Sequence, residues 1–108
     1  MITFTGASGT KYKGAGPYDE TGSLQDTSGV YVILGRNTDS EKWKVVDVGE
    51  GKGIKTRVET HTRKSCWTGR QYTALAVSPI YTPNKQKTGR MEIEQDLRGH
   101  YNPPCGER

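Results

Sequence analysis

The chain has 108 residues, 31% of them hydrophobic and 26% charged, with a mean hydropathy of −0.84. That allows one small domain with a thin core. It excludes a helical membrane span, which needs roughly 20 consecutive apolar residues, while the clustering of its apolar residues in short runs excludes wholesale disorder. Sixteen Lys and Arg against twelve Asp and Glu give a net charge of +4. The excess is local. Between Glu50 and Arg70 six basic residues (Lys52, Lys55, Arg57, Arg63, Lys64 and Arg70) stand against two acidic ones, Glu50 and Glu59. A cluster of that kind is the electrostatic footprint of a polyanion partner.

Residues 1–27 are rich in Gly, Ser and Thr and read as an extension of turns, with a short edge strand at "ITF". The first residues lack the basic start and apolar centre of a signal peptide. With two cysteines and no such signal, reduced thiols and a cytoplasmic location are expected. "GVYVILG" (29–35) is a β-branched, aromatic run bounded by glycines, hence a buried strand. "KWKVVDVG" (42–49) alternates Trp43, Val45 and Asp47 against Lys44, Val46 and Val48, and pairs with the first run as a hairpin.

The spacing of Ile54, Val58 and His61 predicts one helix over 53–64. "QYTALAVSPIY" (71–81) is a third strand. A second helix is expected over 88–99, capped by Thr88, stopped by Gly99 and striped by Ile93 and Leu97. Two prolines make "HYNPPCGER" an extended tail. The order predicts a single α+β domain over 1–108. Its core, about 28–106, is a small antiparallel or mixed three-stranded sheet flanked by helices.

"GEGKG" (49–53) lacks the spacing of a nucleotide-binding fingerprint, but it presents backbone N–H groups where a helix begins. His61-x₄-Cys66 and His100-x₄-Cys105 are spaced too widely for the usual zinc pairs. A Cys66–Cys105 disulfide is equally disfavoured in a cytosolic chain, so inert, packed thiols are the expectation. Trp67, Tyr72 and Tyr81 suit packing better than base stacking. Glu94, four residues from both Arg90 and Arg98, also suits a surface ion-pair ladder.

"GVY" at 29–31 followed by "DVG" at 47–49 resembles the paired signatures of the GIY-YIG nuclease family. Arg57 lies eight residues after Gly49, His61 four further, and Glu94 nine before Pro103, in an "E-x-x-L…YNPP" context similar to the family's. The resemblance covers about 28–106. It implies a structure-selective DNA endonuclease using one Mg²⁺ or Mn²⁺, with a partner protein as an aid to targeting. Tyr31 would position or deprotonate the attacking water, and Arg57 would clamp the phosphate. His61 would relay a proton, and Glu94 would hold the metal. Lys52, Lys55, Arg63 and Lys64 are the expected nucleic-acid contacts.

The departure is Asp47, where the family carries a second tyrosine; the family's asparagine in the tail is also replaced, by Gly106. Asp47 either adds a metal ligand or general base, or marks a module that binds nucleic acid without cutting it. A protein-interaction domain on the same fold is the third reading.

Overall fold

The computed structural model describes residues 1–106; positions 107–108, the end of the expected domain and tail, lie outside the described residues. The chain is α+β. Its strands are β1 (Ile2–Thr5), β2 (Lys11–Gly14), β3 (Gly29–Arg36), β4 (Lys44–Gly51) and β5 (Ala74–Tyr81), and its helices are α1 (Ile54–Glu59), α2 (Lys64–Gly69) and α3 (Lys87–Tyr101). The central sheet has the order β4-β3-β5 and is antiparallel throughout.

β3 is the middle strand and is covered on both faces, which is why its apolar run is continuous rather than alternating. Val30, Val32 and Leu34 face a core completed by Phe4, Ile93 and Leu97, whereas Tyr31 and Ile33 face one completed by Ile54, Val58 and Trp67. α3 therefore lies on one face of the sheet, and α1 and α2 on the other.

The register of β4 against β3 shifts between Ile33 and Leu34, so that Asp47 opposes Ile33 while Val45 opposes Leu34. This bulge breaks the expected alternation. Trp43 and Val45 pack with the α3 face, and Asp47 is turned to the face of Tyr31 and Trp67.

The predicted helix over 53–64 is instead two short helices, α1 and α2. The break has a local cause: the backbone N–H of Arg63 donates to His61 Nδ1 at 3.0 Å, and the Thr60 hydroxyl donates back to the Thr56 carbonyl. Side chains that bond the local backbone in this way compete with the helical ladder. Asp26 receives the Thr56 N–H and hydroxyl at 2.9 and 2.7 Å, an external cap for an α1 that has none at Gly53.

α3 also departs from its expected limits. It starts after Gln86 rather than at a Thr88 cap, and it runs through Gly99 to Tyr101. The last turn is held because Tyr101 packs edge-on against Phe4 and its hydroxyl accepts the Thr5 N–H at 2.9 Å. The left-handed stop is Asn102, at φ 47°.

The N-terminal extension contains a second strand, β2, which the sequence did not suggest. β1 and β2 form a hairpin that delivers Phe4 to the core and meets α3 through Asp96. Asp96 accepts from the Ser8 N–H at 2.8 Å and the Tyr12 hydroxyl at 2.7 Å. Beyond the hairpin, Tyr18 exchanges both backbone bonds with Val77 on the outer edge of β5. At the opposite edge of the sheet, the Cys105 N–H donates to the Val46 carbonyl of β4.

The tail is fixed covalently as well. Cys66 of α2 and Cys105 form a disulfide, which corrects the expectation of free thiols. Packing of the tail against β4 brings together two cysteines 39 residues apart. The thiol argument for a reducing, cytoplasmic compartment loses its premise. Among the described residues no helix is long and apolar enough to cross a membrane.

Candidate active site

The face of the sheet that carries Tyr31 is where most of the sequence-predicted residues meet. Tyr31 is wholly buried and opposes Gly49 across β3 and β4. A side chain at position 49 would collide with the Tyr31 ring and hydroxyl, so the glycine makes room for the phenol. The Tyr31 ring meets His61 edge-on at 5.6 Å between centroids, and His61 in turn tilts against Trp67 at 4.9 Å. Burial pushes the Tyr31 phenol up to about 12, against the opposing pull of the Arg57 and Arg63 charges. The phenol is therefore protonated at neutral pH.

His61 is 4% exposed. Burial first, then the Arg63 and Arg57 charges, pull its imidazole down to about 4. It is neutral near pH 7. Because Nδ1 accepts the Arg63 N–H, its proton is assigned to Nε2. The ring as placed holds Nε2–H as a donor without an acceptor and keeps its one lone pair, on Nδ1, occupied by the Arg63 N–H. Both Tyr31 Oη and His61 Nε2 are buried without a well-formed hydrogen bond among the described residues, although the Arg57 guanidinium comes near enough to the phenol to favour its anion by hydrogen bonding as well as by charge. Such atoms are uncommon in folded chains and call for a ligand or a water.

Asp47 is the hub beside them. Its carboxylate is fully buried and receives the Arg63 Nε–H at 2.8 Å, the Trp67 Nε1–H at 2.7 Å, the Arg98 Nη2–H at 2.6 Å and the Val48 N–H at 2.8 Å. Arg98 is itself 1% exposed and also donates to the carbonyls of Val48 and Cys105. Both oxygens of Asp47 are thus occupied by protein donors. As placed, the carboxylate is a positioning group rather than the metal ligand or general base that the sequence suggested.

Gly106, at φ +84°, closes over this cluster; any side chain there would collide with Arg98 and crowd Arg63 and Asp47. The position that lacks the expected asparagine is one that only glycine fits.

Arg57 is exposed on α1 and lies along Gly51. Glu94 is partly buried, with Arg98 Nε at 3.8 Å. Burial raises its carboxyl above the usual range; the Arg98 charge opposes this and the Glu50 carboxylate reinforces it. Arg90 does not join a surface ladder: it is 4% exposed and bonds Glu50 at 2.9 Å.

Of the expected nucleic-acid contacts, Arg63 belongs to the site itself. Lys64 lines a shallow apolar cleft with Trp67 and Tyr18, while Lys52 is exposed and Lys55 half-buried at the start of α1. Sequence reasoning missed the parts played by Trp67, Arg98 and Glu50. Arg98 had a signal, because it falls on the core-facing side of α3 beside Leu97, where an unpaired charge is not tolerated.

Among the described residues no group of three or more His, Cys, Asp or Glu is placed to hold a metal ion. Mg²⁺ asks for less, since it binds through one or two carboxylates and keeps several waters. Glu94, whose charge is disfavoured by burial and by Glu50, fits that demand. Comparison of the chain with family models, curated proteins and solved structures yields no match, so the functional reading rests on the sequence resemblance and the site's own chemistry.

Proposed function

We propose that this chain is a metal-dependent phosphodiesterase of the GIY-YIG kind, acting on DNA with selectivity for structure rather than sequence. The observation that carries the reading is the pair of buried, unpartnered donors, Tyr31 Oη and His61 Nε2, beside the cations Arg57 and Arg63. A phosphate admitted to this face would satisfy all four, its oxygens accepting from the phenol and the imidazole and its charge balanced by the guanidiniums; because both donors are buried, its entry requires the side chains over them to move.

Within that reading Arg57 clamps the phosphate, and Tyr31 orients the attacking water by donating to it or to the phosphate. His61 donates to an oxygen on which charge develops. Glu94, with Glu50 beside it, would hold Mg²⁺ or Mn²⁺, which when bound supplies charge neutralisation and a more acidic water. A domain this small offers little surface for reading bases, hence the expected structure selectivity.

The test is incubation of the purified protein with plasmid and branched DNA in Mg²⁺ or Mn²⁺, beside Glu94→Ala and Arg57→Ala. Metal-dependent cutting that both variants lose supports the reading. Cutting that survives Glu94→Ala overturns it.

One observation favours a second reading, a nucleic-acid-binding module that does not cut. Where the family has a second tyrosine, this chain has a buried ion-pair hub. Salt-dependent DNA binding without metal-dependent cleavage would select it.

A further inference from the structure

Arg63 stands at the entrance to α2; it was expected among the basic nucleic-acid contacts, with no place beside Tyr31 and His61. Its guanidinium docks side-on against Asp47, with Nε on Oδ2 at 2.8 Å and Nη2 on Oδ1 at 3.3 Å. A guanidinium carries five N–H donors in a rigid plane, so this fork uses one edge of the group and fixes that plane. Nη1 meets no acceptor among the described residues, and the side chain is 30% exposed where Asp47 is fully buried. The anchor is rigid in its turn: Asp47 is also gripped by Trp67, Arg98 and the Val48 N–H, and α2 is tied to the tail by Cys66–Cys105.

Two further observations place Arg63 at the candidate site rather than merely near it. The carboxylate on which it docks also receives Trp67, whose ring lies 4.9 Å from that of His61, and His61 meets Tyr31 edge-on at 5.6 Å. Its backbone N–H is also the group that sets the His61 tautomer.

We propose that Arg63 is a second phosphate-binding group of this site, held in register by Asp47, and that the Asp47–Arg63 pair takes the place of the tyrosine the resemblance would put at position 47. A phenol would offer one neutral donor there; the pair offers a charged planar one, roughly twice as strong. The proposal rests on the reading of Tyr31, His61 and Arg57 as a phosphate site.

Titration of the full, disulfide-intact chain with inorganic phosphate at low salt, followed by backbone amide shifts in residues 49–66, tests it against Arg57→Gln, Arg63→Gln and Arg63→Lys. Arg63→Gln should weaken binding about tenfold to a hundredfold, the loss of one charge-assisted bond. Arg63→Lys should recover only part of this, because an ammonium cannot keep the two-point dock on Asp47. Absence of saturable binding by the wild-type chain would defeat the site reading and this inference together. Binding that Arg57→Gln abolishes while Arg63→Gln stays within twofold of wild type would overturn this inference alone. Full recovery by Arg63→Lys would also overturn it, by reducing Arg63 to an unpositioned charge.

Discussion

Acidification from pH 7.5 to pH 4.5 should expose the buried neutral state of His61 as a loss of stability. Its imidazole titrates near 4 in the fold against an ordinary 6.5. A folded pKa below the unfolded one means the unfolded chain binds the proton first. The stability is therefore complete above pH 6.5 and declines as pH falls towards 4. Linkage over that shift gives about 2.5 kcal/mol lost at pH 4.5, at close to 1.4 kcal/mol per pH unit through the middle of the window.

Urea unfolding at several pH values, on wild type and His61→Gln, is the assay. Gln keeps an acceptor for the Arg63 N–H without titrating. Acid titration of the carboxylates is common to both chains, so the difference between the two slopes isolates the imidazole. His100, the other histidine, is exposed and present in both. Equal pH slopes for wild type and variant would refute the reasoning, as would an NMR titration that places the buried histidine near 6.5.

Asp47→Asn should destabilise the fold by about 3–5 kcal/mol, because it removes the close counter-charge of buried Arg98 and leaves only Glu94 at 3.8 Å; a thermal melt within a few degrees of wild type would contradict this. Asp47→Tyr should fare no better and should not create cutting activity, since the ring must enter a fully buried position between Arg98 and Trp67. Cys105→Ser should cost about 4 kcal/mol by the loop-closure relation for a 39-residue separation, read as the shift in urea midpoint at constant slope. Gly49→Ala should cost about 1–3 kcal/mol through overpacking against Tyr31, and the loss should shrink in a Tyr31→Phe background, which removes the hydroxyl the methyl meets.

What was legible in the sequence followed from burial. β3 could be read because a strand covered on both faces must be apolar at every position, and α3 because Ile93 and Leu97 mark a stripe. The bulge in β4 left no such mark. Nothing in Val45-Val46-Asp47 says that the alternation breaks there, yet that break aims Asp47 at the candidate site. The helix break at His61 was hidden for a similar reason, since it depends on one backbone N–H choosing an imidazole over a carbonyl.

Of the hairpin β1–β2 only the first strand, at "ITF", was legible, because short polar strands such as "KYKG" do not announce their partners. Tyr31, His61, Arg57 and Glu94 were singled out by the family resemblance. The partners of Asp47 could not be, because Arg63, Trp67 and Arg98 lie 16, 20 and 51 residues away and are gathered only by the tertiary fold.

The docking of the hairpin on α3 also bears on how the molecule is made. The bonds from Ser8 and Tyr12 to Asp96 join residues 88 and 84 positions apart. A two-stranded hairpin is at best marginal on its own. During synthesis the first strands must therefore wait, with Phe4 uncovered, until α3 exists to receive them. Pairings of such long sequence separation are slow to form. The hairpin is made before the helix that receives it, so a nascent chain halted before Asp96 would present an unfinished sheet edge to its neighbours.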